Sequence, residues 1–357
     1  MMIQQQLTEW YTTHKRELPW RKNKTPYSIW ISEVMLQQTR VNQAIAYYLR
    51  FMEAFPSVES LAEAPEQKVL KLWQGLGYYS RARNLHLAAK MIMQSFGGKF
   101  PSAYPELLAL PGIGEYTAGA IASMAWNTPI PAIDGNALRF FSRYFGIHEP
   151  VNSSKGIRII RDIAVQLMPK QDPGTFNQAI MELGATVCKP KSPQCPQCPL
   201  RISCKANQDN LQNILPVKIK NKSIRERFLN YIVLLHTTRK STYLIRRTNP
   251  EDIGYHLFEF PVIETDTLLK PEQVLRKIED DGIPFPTHPV LLSISSDYSH
   301  ILSHQKLNAR FFTFSTETVF QTDAHWIETD RETLPLYPVS ALISKFLAQH
   351  ERLKEIF

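Results

Sequence analysis

Four places in this chain carry residues able to do chemistry. All four cysteines fall in one run, Cys188-x6-Cys195-x2-Cys198-x5-Cys204. Four thiolates in so short a stretch point to a metal centre, and their confinement to it argues against a disulfide framework. Zinc sites usually pair two well-separated C-x2-C hooks. Here there is one C-x2-C with uneven flanks, a pattern that irregular iron–sulfur loops also take, and spacing leaves both metals open. The run carries Lys189, Lys191, Arg201 and Lys205 and no acid from 188 to 208. A metal here would fold a basic loop that touches phosphate.

The second place is Pro111-Gly112-Ile113-Gly114, where two glycines free to adopt φ > 0 predict a tight turn. A helix beginning near Glu115 would present free N–H groups to an anion such as a nucleic-acid phosphate. Its Ala118, Gly119, Ala120 and Ala122 leave room for a close neighbour. The third place is Asp134, set before Gly135-Asn136 as an N-cap. The fourth is Glu33 with Gln37-Gln38-Thr39, a carboxylate in an apolar helix followed by a polar break that ends it and presents side chains to a ligand. Each has a plainer reading. Gly-x-Gly turns are common, an Asp before a helix caps it, Glu33 complements a helix dipole, and 37–39 is simply solvated.

The elements that must position these groups follow from periodicity. Residues 1–210 are mostly helical, with Val41, Ala44, Ile45, Tyr48, Leu49 and Met52 at helical spacing. A helical region over 67–93 breaks at 75–81, where Tyr78, Tyr79, Ser80 and Arg81 on a glycine-rich turn suit either a nucleic-acid backbone or a helix corner. Two helices over 157–187 separate near Asp172. Residues 207–228 look like a polar, basic linker. Beyond it the pattern becomes α+β, with strands near 228–235, 242–245, 258–263, 290–295 and 309–314 and helices near 271–281 and 338–349.

Charge follows the same division. Residues 1–210 hold 23 basic and 15 acidic residues, and 211–357 hold 18 of each, so the whole excess of +8 sits in the first part and suits a polyanion partner. The N-terminus has no apolar signal core, and no stretch approaches membrane-span length. A soluble, intracellular protein is expected.

Together LPWR (18–21), WISEVMLQQT (30–39), GLGYYSRARNL (75–85), LPGIGEYTAG (110–119), AIDGNALR (132–139) and the four-cysteine loop resemble the MutY family of adenine DNA glycosylases, within the endonuclease III superfamily. The resemblance spans nearly all of 8–206 and weakens beyond 228. It implies a mostly α helix-hairpin-helix catalytic domain with an iron–sulfur loop over 1–206, a linker over 207–228, and a Nudix-like α+β domain over 229–357 that recognises 8-oxoguanine. The implied activity is monofunctional removal of adenine opposite 8-oxoguanine, or more weakly opposite guanine. By resemblance Glu33 is the general acid, and Asp134 stabilises an oxocarbenium-like state with support from Asn136 and Tyr116. Gln38 takes the vacated place in the base stack beside Thr39, and Leu36 lines the adenine pocket with Trp20, Arg21 and Gln178. Tyr79, Arg81, Gly112 and Gly114 meet DNA. Cys188, Cys195, Cys198 and Cys204 hold one 4Fe–4S cluster, and a monovalent cation sits at the hairpin. The partner is double-stranded DNA, with no membrane, and the protein is a monomer in the cytoplasm, at the nucleoid if bacterial.

Position 116 discriminates within the superfamily. Bifunctional relatives carry a lysine there that forms a Schiff base, and this chain has Tyr116. The family's Phe-Ser-His loop for 8-oxoguanine becomes Leu302-Ser303-His304, preserving the polar pair and losing the aromatic ring. RKIEDDG (276–282) is a faint trace of a Nudix box without its preceding acids and glycine, so no pyrophosphatase activity is expected. Two other readings stand beside this one: a glycosylase of the same fold for an oxidised pyrimidine or for thymine opposite guanine, and a metal-stabilised DNA clamp without chemistry.

Overall fold

In the computed structural model, which describes residues 2–219, 224–322 and 325–349, the first part of the chain is helical, as its periodicity predicts. Residues 220–223 of the expected linker and 350–357 of the expected C-terminal domain lie outside the described residues. The helices are α1 (Ile3–His14), α2 (Pro19–Lys22), α3 (Pro26–Leu36), α4 (Val41–Ala54), α5 (Val58–Glu63), α6 (Glu66–Trp73) and α7 (Ser80–Phe96). They continue as α8 (Tyr104–Ala109), α9 (Glu115–Trp126), α10 (Gly135–Phe145), α11 (Ser154–Leu167), α12 (Pro173–Thr186) and α13 (Lys205–Gln208). Contacts divide the chain into two units, Met1–Glu63 with Asn84–Asn221, and Ala64–Arg83 with Lys222–Phe357. Among the described residues no helix is long and apolar enough to cross a membrane.

Three helices set the site in the first unit. The α3 N-cap Thr25 accepts the Ser28 N–H, and Pro26 occupies the first turn, where its missing N–H costs nothing. Every residue from Tyr27 to Met35 is buried, so α3 is a central helix whose one charged side chain is Glu33; its buried serines, Ser28 and Ser32, bond back to main-chain carbonyls. Helix α9 is equally enclosed from Thr117 to Ser123. A Cβ on Gly119 would lie 2.5 Å from the Pro131 carbonyl oxygen, so the small residues there do admit a close neighbour. Helix α12 starts from the Asp172 cap and approaches α9 and α10 through Gly174 and Gly184, where an added Cβ would strike the Ser123 oxygen at 2.7 Å and the Asn136 Cβ at 2.5 Å.

In the second unit eight strands form one sheet: β1 (Arg225–His236), β2 (Ser241–Arg246), β3 (Phe258–Glu259), β4 (Val262–Thr265), β5 (Val290–Ile294), β6 (Tyr298–Ile301), β7 (Gln305–Thr316) and β8 (Trp326–Asp330). The order is β3-β2-β1-β7-β5, with β4 on β1, β6 on β7 and β8 on β2. Only β1 and β7 run parallel, from Arg225 opposite Gln305 to His236 opposite Thr316. Two helices complete the unit, α14 (Pro271–Asp280) and α15 (Ala341–Gln349). Alternation along β1 sends Leu229, Tyr231, Val233 and Leu235 into a core with Leu342, Ile343 and Phe346 of α15, and Ile232 and Leu234 into a core with Val274 and Ile278 of α14.

The expected α+β character is present, with two differences in detail. The single strand expected over 258–263 is split, because Pro261 has no N–H to give a ladder; its carbonyl instead accepts from Ile232 at 2.7 Å. Strands β6 and β8 were not expected, since their short polar sequences lack an apolar run.

Segment Ala64–Arg83 joins the second unit through specific bonds. Lys71 donates to the Tyr337 carbonyl at 3.2 Å and Gln74 to the Ser344 hydroxyl at 2.7 Å. Arg83 donates to the Tyr255 carbonyl at 2.7 Å.

Candidate active site

A cleft of about 670 Å³ in the first unit gathers residues far apart in sequence. Trp20, Arg21, Glu33, Leu36, Gln38 and Thr39 line it from the N-terminal side. Tyr116, Asp134, Asn136 and Gln178 line it from the later helices. The structure thus brings together both carboxylates and every residue expected around the base.

Glu33 reaches the cleft from the enclosed α3, and burial pushes its carboxyl up to about 7. The hydrogen bond from Tyr116 pulls the other way, the nearby Asp134 charge pushes up and Arg21 pulls down. The Tyr116 hydroxyl donates to Glu33 Oε2 and lies 3.6 Å from the Met181 sulfur. Tyr116 was expected to support Asp134; the structure places its bond on Glu33. The cause is the facing of α9 on α3, which turns the first turn of α9 toward the acid. Burial holds the Tyr116 phenol well above its ordinary range, so it stays a neutral donor.

Asp134 is the N-cap of α10, as its position predicts. Its Oδ1 accepts the N–H groups of Asn136 (3.0 Å) and Ala137 (2.8 Å), and its Oδ2 accepts the Asn136 side chain at 2.6 Å. Burial raises this carboxyl, and these donors and Arg139 oppose the rise. Arg139, which sequence reasoning missed, ties the cap in place. It donates to Asn136 Oδ1 (2.7 Å) and to the carbonyls of Gly184 (2.7 Å) and Cys188 (2.7 Å). Buried Asn177 fixes the link ahead of Asp134 by accepting from Ala132 N and donating to the Ile130 carbonyl.

Arg21 and Gln178 are held from behind. Glu182, 1% exposed, accepts from Arg21 at 2.8 Å and from the Arg16 side chain at 2.7 and 2.9 Å. Burial alone would raise the Glu182 carboxyl, yet the two arginines bring it down to about 2. The Tyr11 hydroxyl donates to Gln178 Oε1 at 2.9 Å. Sequence reasoning missed Tyr11, Arg16 and Glu182; a lone carboxylate in the apolar run from Ala179 to Ala185 was the available signal for the last.

Past α3, Gln38 stands exposed with φ +58°, a left-handed backbone that side chains other than glycine seldom adopt. Gln37 Nε2 reaches the Thr117 hydroxyl at 3.2 Å. The sharp end predicted for this helix is therefore present. At the hairpin turn only Gly112 takes positive φ (+76°), where a Cβ would collide with Asn84 at 2.7 Å. Gly114, also expected left-handed, is extended and serves as the α9 N-cap without a side-chain cap, with open space where a Cβ would stand.

Tyr79 and Arg81, expected to face DNA, fall in the second unit and are engaged there. The Tyr79 hydroxyl donates to the Val339 carbonyl at 3.2 Å. Arg81 donates to the Gly77 carbonyl at 3.2 Å with its guanidinium over Trp73 and Tyr78, and burial lowers it to about 10. Ser303 and His304 are exposed at the tip between β6 and β7, 3.1 Å apart. Leu302 is half-buried and packs against the core that holds α15.

The four cysteines line one small cavity of about 30 Å³ with Arg143, Val187 and Arg201. Arg143 donates to Cys188 Sγ at 3.3 Å and to the Lys189 carbonyl at 2.7 Å. Burial pushes the Cys198 thiol up to about 12 and raises Cys195 and Cys204 as well. A metal charge in the cavity is what would keep such thiols ionised, so the donor set fits a metal-bound group. Among the described residues, no three His, Cys, Asp or Glu side chains are grouped to hold one ion.

Comparison with known proteins gives a consistent picture. Residues 31–162 match the model of the HhH-GPD superfamily base excision DNA repair protein. The chain is 34% identical over 304 residues to the adenine DNA glycosylase of Buchnera aphidicola subsp. Acyrthosiphon pisum (strain APS), covering 85% of each. It is 37% identical to that of the Schizaphis graminum subspecies (strain Sg), covering 85% of this chain and 86% of the relative. Among solved structures, a thermostable thymine-DNA glycosylase matches with TM-score 0.53 and 26% identity over 58% of this chain and 95% of its own. An endonuclease III in a non-covalent DNA complex shares the fold at TM-score 0.50 and 23% identity, over 59% of this chain and 100% of its own.

Proposed function

The chain belongs to the adenine DNA glycosylase family, and from that we propose that it hydrolyses the N-glycosidic bond of adenine paired with 8-oxoguanine, or more weakly with guanine, in duplex DNA. One observation carries the mechanism: Glu33 and Asp134 face one cleft, and burial raises both carboxyls, but Glu33 takes a single hydrogen bond from Tyr116 while three donors and Arg139 oppose the rise at Asp134. A base inside a duplex is out of reach, so adenine is flipped into the cleft, at a cost of roughly a few kcal/mol. Gln38, exposed on its left-handed turn, fills the gap.

Adenine leaves poorly until a ring nitrogen is protonated. Glu33, titrating near 7, is half-protonated at neutral pH and is the donor. As the bond breaks, the electron pair goes to the protonated base and positive charge grows on the sugar. Asp134, fixed by three donors that favour its anion, stabilises that charge from the α10 N-terminus, and water completes the hydrolysis. Tyr116 supplies no amine for a Schiff base, so the enzyme is monofunctional. Ser303 and His304, exposed at their hairpin tip, read 8-oxoguanine through polar contacts.

The test is a single-turnover incubation with a labelled duplex holding one adenine opposite 8-oxoguanine, each time point split and half treated with hot alkali. Strand breaks only after alkali are expected. Breaks without alkali would overturn the role of Tyr116, and no release at all would favour another lesion or a clamp without chemistry. With Glu33 as the acid and Asp134 required as the anion, the rate should fall tenfold per unit above pH about 7 and fall again in acid as Asp134 takes up a proton. A rate rising through pH 7 to 9 would remove Glu33 from that role.

The cysteines would hold a 4Fe–4S cluster, which when bound supplies charge and crosslinks to an otherwise irregular loop. Four thiols from one irregular run line a single cavity, as the ligands of a cluster would. The loop then presents Lys189, Lys191, Arg201 and Lys205 to phosphate. Cys198→Ser is expected to yield colourless protein with DNA affinity lowered at least about tenfold and a flatter salt dependence. Zinc in anaerobically purified wild type would overturn the cluster.

A further inference from the structure

We propose that Tyr11 is a positioning residue for adenine excision, fixing the Gln178 amide so that its N–H end faces the base. This rests on the adenine-excision reading above. Tyr11 is 5% exposed and contacts two of the four side chains expected to line the adenine pocket, Arg21 and Gln178. Its hydroxyl donates to Gln178 Oε1 at 2.9 Å, and its ring lies 5.4 Å under the Arg21 guanidinium.

The polarity of the amide follows from its two partners. Gln178 Nε2 lies 3.4 Å from the Gly174 carbonyl, which can only accept. The nitrogen must therefore be on that side, and the oxygen on the side of Tyr11, which can donate. A flipped amide would set two oxygens against each other at Gly174. With the oxygen drawn toward Tyr11 and one N–H toward Gly174, the second N–H of Gln178 is the donor left for the cleft that this side chain lines. Arg21, pinned by Glu182 and donating to the Arg16 carbonyl at 2.9 Å, also offers only donors. The two side chains thus present a donor edge to the acceptor nitrogens of a flipped purine, and Tyr11 sets half of it without touching the base.

Losing the hydroxyl frees the amide to turn, and a site whose polarity is no longer fixed binds the transition state less well. Tyr11→Phe retains the ring beneath Arg21 and removes only the hydrogen bond. It should lower the single-turnover rate on adenine opposite 8-oxoguanine about tenfold. Affinity for the same duplex carrying an abasic site in place of adenine should not change, because no base is read there.

The decisive measurement is a double-mutant cycle with Gln178→Met, with wild type alongside. Tyr11→Phe should have no further effect once the amide is gone. An equal loss in both backgrounds, or no loss in either, overturns the proposal. An equal fall in abasic-site affinity would show Tyr11 to be merely structural, and also overturns it. Wild type that releases no adenine would instead overturn the excision reading, so the two failures are distinct.

Discussion

Glu33→Gln is expected to lower the single-turnover rate of adenine release by about 10²–10⁴-fold while leaving affinity for the damaged duplex within about twofold. Glutamine has the same shape and can accept the Tyr116 hydrogen bond, so the only loss is the transferable proton. The same variant should be more stable than wild type in alkali. Burial disfavours the charge of the Glu33 carboxyl and raises it in the folded protein from an ordinary 4.5 to about 7. Between those values the folded state binds more protons than the unfolded chain, so stability falls as pH rises from 4.5 to 7 and the full penalty persists above it. Its size is about 3 kcal/mol. Melting of Glu33→Gln should therefore lie several degrees above wild type at pH 8 and match it at pH 4. A variant that melts lower at pH 8, or retains its excision rate, would mean Glu33 is neither buried at such cost nor the acid.

Asp134→Asn should cost about 10²–10³-fold in the same assay, the scale of removing one preorganised electrostatic contact to a developing charge. Asparagine is as good an N-cap as aspartate, and it can accept the Asn136 and Ala137 N–H groups in the same way. What it cannot do is carry a charge or accept the Asn136 amide with its second atom. Stability should change by no more than about 1 kcal/mol. A rate within threefold of wild type, in protein that melts normally, would reduce Asp134 to a cap.

What the sequence made legible was local chemistry. Asp134 was readable as a cap because a cap depends only on the next three residues, and the end of α3 was readable because Gln37-Gln38-Thr39 interrupts an apolar run. Arg139 and Asn177 were not readable, since most of their partners are main-chain carbonyls and N–H groups, which leave no trace in residue type. Glu182 was missed because its arginines lie more than 160 positions away. The pairing of Glu33 with Asp134 came from resemblance, and the cleft brings them together. Resemblance gave Tyr116 as support for Asp134, while its hydrogen bond goes to Glu33, because a residue set carries no hydrogen-bond directions. At the hairpin it gave the glycines, but only Gly112 needs positive φ; Gly114 is extended and a Cβ there would meet nothing. Arg81 looked like a phosphate contact by charge alone, and its inward turn depends on Trp73 and Tyr78, whose geometry no spacing rule supplies.

Segment Ala64–Arg83 has a consequence for how the protein is made. It leaves the ribosome within the first quarter of synthesis, yet the partners of Gln67, Lys71, Gln74 and Tyr79 are encoded 260 to 270 residues later. At about 5–20 residues per second these bonds have no partner for roughly 13 to 54 s. The nascent helical unit must close over Met1–Glu63 and Asn84–Asn221 with this stretch looped out, carrying Val69, Leu70 and Trp73, which are buried in the finished protein. It also means that cutting the gene between 207 and 228 separates codons, not folding units: the C-terminal half would lack Ala64–Arg83, and the N-terminal half would carry that segment without its partners.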